Sequence, residues 1–381
     1  MIKPRAYFFW SVGAILGLLL LAAALVAVVD PLVHYRAPGV FKLQFSAKNA
    51  LRMIPGVLRH MPHDSVLVGD SMLINADLAD VRELLGWDAV KATAGGSWPA
   101  ATSRFMDIAF EAGAPRNILL NLQLQSHAYP ADQIQFPLEP YLYEPRPWRE
   151  LQYWWNRDIL TGPLFHALQV TLGGGSKKYR QRASLDTMFA SNLAADEHLE
   201  YGESILRAWH ASKPPAPPRP AVTTVEGMMA GLDTNLLRHI RAHRETRFEL
   251  VLPPNSKIYW HAARQRENWG ILLDFHAAAL AALIAEPNAR VHDCQTVRHI
   301  VCDLDNYKDS VHHKPSINRW VLERVAAADR VMATNDIPAF LEAVTRLGDA
   351  TNQPPWVLGD GTMGLRDNGT PGHRISQPAV P

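Results

Sequence analysis

The chain of 381 residues is 48% hydrophobic and 20% charged, a composition that supports a sizeable buried core and excludes disorder along the whole length. Its 38 basic and 37 acidic residues nearly cancel, so nucleic acid is not an expected partner. Two cysteines, Cys294 and Cys302, are too few for a disulfide scaffold and lack the spacing of a zinc site. Whether they pair with each other stays open at this point.

The first predicted element is a membrane-spanning helix. Residues 7–29 are apolar without a charge, and about 23 residues at roughly 1.5 Å each span the roughly 30 Å of a bilayer core. A cleaved signal peptide has a shorter apolar stretch, about 7 to 15 residues. Lys3 and Arg5 favour a cytoplasmic segment 1–6. We therefore expect a single-pass protein of the inner or plasma membrane, with its globular domain extracytoplasmic (periplasmic).

After a juxtamembrane connector, residues 30–64, short apolar runs alternate with stretches of helical periodicity. The predicted strands are 65–71, 89–94, 117–124, 247–252 and 290–293. The predicted helices are 73–85, 99–112, 228–243, 262–285 and 316–328. This alternation predicts an α/β domain, residues 65–350, built as a flavodoxin-like three-layer α/β/α sandwich around a parallel sheet.

A long insertion after the third strand, residues 125–227, interrupts the alternation. A loop of this length favours a lid or a binding subdomain over a passive connection. Its aromatic residues, dense in 141–155, either stack on sugar rings or pack a small core of the insertion itself. The proline-rich stretch 213–220 predicts an extended linker, and residues 351–381 predict a disordered tail.

The tripeptide Gly69-Asp70-Ser71 stands where the first strand gives way to a helix. Ligands of open α/β sheets bind at the carboxyl ends of the strands, so this position exposes a serine where a site is expected. Backbone N–H groups at a helix start also favour an anion there. The alternative interpretation is an ordinary helix N-cap.

The second candidate group lies in a loop dense in Asp and His, residues 303–318, before the last predicted helix. The spacing Asp309-x-x-His312 lets one turn present an imidazole to a nucleophile while the carboxylate holds the other ring nitrogen. A solvated polar loop that caps the next helix is the alternative. Because the remaining histidines are scattered along the chain, no metal or other cofactor is expected.

Taken together, these motifs resemble the sequence blocks of SGNH (GDSL-like) hydrolases. The matching blocks are the Gly-Asp-Ser after the first strand, Gly95-Gly96 after the second, and the Asp-x-x-His before the last helix. The strand 248–254 and the loop 306–312 look like a membrane-anchored envelope subgroup. That subgroup is similar to the SGNH-like domains of alginate O-acetyltransferases and of the protein that D-alanylates teichoic acids.

The resemblance covers about residues 60–330 and implies a role for each motif residue. Ser71 would be the nucleophile and His312 the general base and acid. Asp309 would orient the imidazole, and His313 is the alternative base if the register slips by one. These assignments predict a catalytic triad formed by segments far apart in the sequence.

An oxyanion hole is the second feature that the resemblance implies. The N–H groups of Ser71 and of Gly95 or Gly96 would donate to it, although the two glycines fit a plain strand-to-helix turn equally well. The family usually places Gly-x-Asn-Asp after the third strand, whereas residues 121–124 read Asn-Leu-Gln-Leu, with Gln123 at the position of the donor asparagine. Gln123 either donates with a longer reach or is an ordinary strand-end residue. Loss of one such donor typically costs about 100- to 1000-fold in rate.

The resemblance implies a serine esterase or O-acyltransferase that acts on acyl esters of an envelope polysaccharide, with the machinery of that polysaccharide as a possible partner. Hydrolysis and transfer would use the same residues. The alternative is a noncatalytic binding or assembly subunit of a polysaccharide biosynthesis or export complex, which Gln123 favours. A lipase-like esterase of membrane lipids is a third candidate.

Overall fold

The computed structural model describes residues 4–43, 49–144, 146–173, 201–212, 221–266 and 268–358. The chain forms two compact units. The anchor unit comprises Met1–Pro62, Ile108–Gly113 and Pro137–Ser191, and the sheet unit comprises His63–Asp107, Ala114–Phe136 and Asn192–Pro381, so far as these residues are described. The linker predicted for 213–220 lies outside the described residues.

A five-stranded parallel sheet forms the centre of the sheet unit, and it confirms the predicted α/β class. Its strands are β1 Ser65–Gly69, β2 Ala89–Thr93, β3 Asn117–Asn121, β4 Arg247–Leu252 and β5 Ala289–Asp293. Their order is β2-β1-β3-β4-β5, and the first residue of β1 lies beside the first residues of β2 and β3. Because β1 and β3 are neighbours, the residues that follow them meet at one edge of the sheet.

Helices make up most of the remaining described chain. In chain order they are α1 Pro4–Val29, α2 Ala50–His60, α3 Ser71–Ile74, α4 Leu78–Leu85, α5 Pro99–Ala112, α6 Pro140–Tyr143, α7 Glu150–Trp154, α8 Arg157–Thr161, α9 Pro163–Thr171, α10 Glu203–Ser212, α11 Val225–Leu232, α12 Arg238–Ala242, α13 Lys257–Arg264, α14 Trp269–Ile284, α15 Arg298–Val301, α16 Pro315–Ala327 and α17 Ile337–Leu347. A π-helical turn, Asp233–Leu237, joins α11 to α12.

The sequence predicted one helix over 73–85, and the structure has two, α3 and α4. The break has a local cause, because the Asp77 side chain accepts the N–H of Ala79 at 2.8 Å and caps a new helix start. The strand β1 is mostly apolar. All five of its residues are buried, as expected for a parallel strand covered by other elements.

The anchor unit contains α1, which is long and apolar enough to cross a membrane, as the sequence predicted. It also contains residues 30–62 of the connector and, within 137–191, a middle part of the predicted insertion, so far as these residues are described. Tyr143 donates to the Leu51 carbonyl at 2.6 Å, and Tyr153 donates to Asp30 at 2.8 Å. Both tyrosines are buried, so their role in the structure is packing of this unit.

The predicted disordered tail begins with residues that the structure describes. Ala350–Asn352 form a 3₁₀ turn, and Val357 is buried in a cluster with Leu206, Ile258 and Tyr307. The apolar side chain of Val357, flanked in the chain by Trp356 and Leu358, thus gives this segment a packed position. Residues 359–381 lie outside the described part of the chain.

We expect Gly56→Ala to destabilise the anchor unit. A Cβ at Gly56 in α2 would lie 2.1 Å from the backbone oxygen of Val33, and backbone atoms cannot rotate away as a side chain can. The expected loss is about 1 to 3 kcal/mol in the free energy of unfolding, measured by chemical denaturation of the full chain in detergent. Gly270→Ala is the matched helical control, since a Cβ there meets nothing within 4 Å. Equal stability of the two variants would contradict the close packing of α2.

Candidate active site

Two consecutive hydrogen bonds connect Ser71, His312 and Asp309. The His312 Nε2 atom lies 2.7 Å from Ser71 Oγ, and Nδ1 lies 2.5 Å from Asp309 Oδ2. Asp309 is buried, whereas Ser71 and His312 are partly open to solvent. A hydroxyl, an imidazole and a carboxylate in this sequence of contacts can activate a serine for attack on a carbonyl. The structure therefore brings the three predicted residues together, and their catalytic roles stay a prediction.

Asp309 is held as a carboxylate by several donors. Its Oδ1 accepts the N–H of Val311 at 2.9 Å and the N–H of His312 at 2.8 Å. Burial alone would raise the pKa of Asp309, but the charge of His312 and the hydrogen bonds from His312 and Val311 lower it to about 2. The ionised Asp309 accepts a hydrogen bond from Nδ1–H of His312, and in the tautomer that carries its proton on Nδ1 the unprotonated Nε2 faces the serine hydroxyl.

Asn121, at the end of β3, fixes the residue that precedes Ser71. Its Oδ1 accepts the Asp70 N–H at 3.1 Å, and its Nδ2 donates to Asp70 Oδ1 at 2.8 Å. The same carboxylate oxygen accepts the N–H of Met72 at 2.9 Å and caps α3, so the predicted N-cap is present beside the serine. A Cβ at Gly69 would lie 1.9 Å from Asn121 Oδ1, which explains the glycine. Our sequence reasoning missed Asn121, although an amide at the carboxyl end of a predicted central strand was a usable signal.

His313, the alternative base, lies away from the serine. It is buried, and its Nε2 lies 3.2 Å from Asn318 Oδ1. The Asn318 Nδ2 donates to the Met72 carbonyl at 3.1 Å. Burial lowers the pKa of His313 to about 4, only partly opposed by its hydrogen bond to Asn318. His313 and Asn318 thus connect the histidine loop to α3, and His312 alone of the two histidines contacts Ser71.

Gly95 and Gly96 occupy the turn that follows β2. The Ser97 N–H donates to the Ala94 carbonyl at 3.2 Å and closes the turn. Gly96 has a φ of +69°, which favours glycine, and a Cβ there would overlap the ring of Phe136. The turn explains the glycines structurally, and donation of their N–H groups to an oxyanion remains a prediction.

Gln123 follows β3 on the same edge of the sheet as Ser71. The Nδ2 atom of Asn255 donates to Gln123 Oε1 at 3.3 Å, which leaves the Nε2 donors of this amide for another acceptor. Burial, with a smaller contribution from the charge of His276, lowers the pKa of His127 to about 3, so His127 is neutral. Gln123 lines a small open cleft together with Asp70, Ser97, Asn121 and His127.

Two observations concern cofactors and cysteines. Among the residues that the structure describes, no group of three or more His, Cys, Asp or Glu side chains is placed to hold a metal ion.

Cys294 is buried and Cys302 is partly buried, and both are free thiols. The question that the sequence left open is therefore answered: the two cysteines are not joined.

Comparison with known proteins gives little similarity. No family model and no curated protein matches this chain. One solved structure, a Streptococcus pneumonia protein described as a "putative platelet activating factor", aligns over 74% of this chain and 92% of its own, with 12% identity and a TM-score of 0.37. A similarity of this size defines neither the fold nor the activity of the present chain.

We expect Asn121→Ala to loosen the turn that carries Ser71. The variant loses two hydrogen bonds to Asp70, so the free energy of unfolding falls by about 1 to 3 kcal/mol. Displacement of the serine slows its labelling by a fluorophosphonate probe by about 100-fold.

The matched control is Asn117→Ala, at the opposite end of the same strand. Asn117 Nδ2 donates to Ser65 Oγ at 2.9 Å, so this variant also loses an amide hydrogen bond. Its labelling rate should equal that of the wild type. Similar labelling by the two variants would show that Asn121 does not position the serine.

The lowered pKa of Asp309 predicts a pH dependence of stability. The folded-state pKa of about 2 lies below the ordinary value of 3.8, so the stabilisation is complete above about pH 4 and is lost as the pH falls towards 2. The difference in unfolding free energy between the wild type and Asp309→Asn should therefore narrow over this range. Urea denaturation at a series of pH values measures it.

Ser71→Ala serves as the control for that series, because it keeps Asp309 and His312 together. Its stability should run parallel to that of the wild type as the pH falls. A constant difference between the wild type and Asp309→Asn from pH 4 to pH 2 would mean that the carboxylate is not stabilised by the fold.

Proposed function

We propose that this protein is a membrane-anchored, extracytoplasmic serine esterase or O-acyltransferase of SGNH type that acts on acyl esters of an envelope polysaccharide. The observation that carries the proposal is the chain of contacts from Asp309 through His312 to Ser71, with 2.5 Å and 2.7 Å between the bonded atoms. The parallel sheet supports an α/β/α sandwich of the kind that the motifs resemble. The apolar α1 supports the anchor, with the sheet unit on the extracytoplasmic side.

In the first half of the reaction, the Ser71 oxygen attacks the ester carbonyl while its proton moves to His312 Nε2. Asp309 accepts the Nδ1 hydrogen bond and stabilises the imidazolium that forms. The tetrahedral intermediate collapses, the bond to the alcohol breaks, and that alcohol leaves with the proton from His312. The product of this half is an acyl group esterified to Ser71.

In the second half, a hydroxyl compound attacks the acyl-serine ester. His312 takes the proton of the attacking hydroxyl, the acyl–Ser71 bond breaks, and the serine oxygen regains a proton from His312. Water as acceptor yields a free acid, whereas a glycan hydroxyl yields a new ester. Hydrolysis and transfer therefore differ only in which acceptor reaches the acyl-enzyme.

Stabilisation of the oxyanion is assigned to residues that follow β1, β2 and β3. The N–H groups of Ser71 and of Gly95 or Gly96 are the backbone donors. Gln123 completes the set: its Oε1 is engaged by Asn255, so its Nε2 is the end of the amide that can donate. This orientation supports the catalytic interpretation of Gln123 over that of an inert residue.

We expect Ser71→Ala to abolish labelling of the full chain by a fluorophosphonate probe, because the probe bonds to an activated serine oxygen. His312→Ala should slow labelling by about 1000-fold or more, since the hydroxyl loses its base. Detergent-solubilised protein and gel fluorescence provide the measurement.

The matched control for Ser71 is Ser103→Ala. The Ser103 hydroxyl also contacts an imidazole, with His239 Nε2 at 3.0 Å, but Ser103 is only 4% exposed. This variant should be labelled like the wild type. A folded wild type that takes up no probe would refute the catalytic proposal and favour the binding or assembly subunit.

The ester content of the native glycan in cells that carry Ser71→Ala distinguishes the two enzymatic activities. A deacylating enzyme leaves more ester on the polysaccharide when it is inactivated, and a transferase leaves less. Saponification followed by quantification of the released acid measures the content. An unchanged glycan together with turnover of short acyl esters by the purified protein would point to an esterase with another substrate.

A further inference from the structure

We propose that the anchor unit carries a second lipid-contacting surface, a collar of apolar side chains that enters the bilayer leaflet at the C-terminal end of α1. The collar consists of Trp148, Leu151, Trp155, Phe165 and Leu172. The inference rests on the proposed membrane span of α1 and is independent of the chemistry at Ser71.

The first argument is depth along α1. The indole Nε1 of Trp155 donates to the carbonyl of Leu19 at 2.9 Å, and α7, α8 and α9 all contact α1. Leu19 precedes Val29, the last residue of the helix, by ten positions, which is about 15 Å at roughly 1.5 Å per residue. A bilayer that covers most of α1 therefore also reaches Trp155.

The second argument is the length of α1 that is left uncovered. Its side chains are open around most of the helix as far as Leu21, whereas beyond that point Ala23, Val26 and Val29 are buried by the rest of the anchor unit and only the opposite face, with Leu25 and Val28, stays exposed. From Arg5 to Leu21 the helix rises by only about 25 Å, less than the roughly 30 Å of a bilayer core. The hydrocarbon must therefore extend over the covered part of α1, where the collar lies.

The third argument is the chemistry of the collar. Its five side chains are between 39% and 83% exposed, and burying such apolar area in lipid is favourable by roughly 25 cal/mol per Å². Residues 159–173, which include Phe165 and Leu172, contain no Asp, Glu, Lys or Arg, so this part of the collar can enter lipid without a charge. Two of the collar residues are tryptophans, which concentrate at membrane interfaces.

The end of α1 has the polar partners that such a position requires. The Arg36 guanidinium donates to the carbonyls of Ala27 and Val28, and the Asp30 carboxylate accepts the N–H groups of His34 and Tyr35. The carbonyls of Val26, Ala27 and Val28 in the last turn of the helix therefore accept hydrogen bonds from the protein itself, as the border of a bilayer favours. Because the collar is continuous with α1, we infer that a lipid leaflet covers its side chains. Coverage by a second copy of this chain is the alternative that the test must distinguish.

The test uses the full chain in phosphatidylcholine nanodiscs, with one environment-sensitive fluorophore attached to a cysteine. The label is placed by Phe165→Cys or Leu172→Cys in the collar, by Leu18→Cys in α1 as the reference for the span, and by Glu144→Cys as the control. Glu144 belongs to the same unit, and its side chain is 47% exposed beside Arg149. Cys302→Ser in every variant removes the more accessible native thiol.

We expect lipids with brominated acyl chains to quench most of the fluorescence at both collar positions and at Leu18, and aqueous iodide to quench only the label at Glu144. Quenching by bromine at Leu18 alone would overturn the collar and leave the span intact. Absence of quenching at Leu18 would refute the span and with it the collar, while labelling of Ser71 still tests the catalytic proposal. Collar labels shielded from both quenchers would indicate a protein occupant and would also overturn the proposal.

Discussion

The hydrogen bond between His312 Nε2 and Ser71 Oγ joins residues that are 241 positions apart, and the geometry of the candidate site depends on it. It forms because β1 and the histidine loop reach the same edge of the parallel sheet. A second connection, from Asn318 to the Met72 carbonyl, holds the helix after the loop against the helix that starts at the serine. The two segments are therefore fixed to each other by backbone and side-chain contacts around the reactive pair, which keeps the imidazole within reach of the hydroxyl.

The serine itself is positioned by the close approach of two central strands. Gly69 leaves room for the Asn121 side chain, and that side chain holds both the N–H and the carboxylate of Asp70. The carboxylate in turn caps α3, so the strand ends and the helix begins within one residue. The N-cap and the active-site interpretations of Gly-Asp-Ser are thus compatible, because one residue caps the helix while the next presents its hydroxyl.

Much of this architecture was predictable, and the exceptions share a physical cause. The strand predicted over 247–252 agrees with β4, because a short segment dominated by apolar residues, Phe248 and 250–252, is a local signal. The grouping of Ser71, Asp309 and His312 was predicted from two short motifs together with their resemblance to SGNH hydrolases. The pairing of Asn121 with Asp70 depends on which strands are neighbours, and local periodicity does not encode strand order. The packing of Tyr143 and Tyr153 on the connector is likewise a contact over a long sequence separation. From the sequence alone, the aromatic residues of the insertion therefore fitted stacking on sugar rings as well as they fitted packing of a core.

Residue type alone does not determine which polar groups can react. His312 and His313 are adjacent, yet one contacts a carboxylate and a partly open hydroxyl, and the other is buried against an amide with a pKa lowered to about 4. Ser103 likewise touches an imidazole, but it is buried, and the Asp107 carboxylate approaches the same ring nitrogen as the hydroxyl, at 3.8 Å. A carboxylate on that side cannot hold the opposite N–H and leave the near nitrogen free as a base. The proposed reactivity of Ser71 therefore depends on three conditions together: access from solvent, an unprotonated ring nitrogen facing the hydroxyl, and a carboxylate on the far side of the ring.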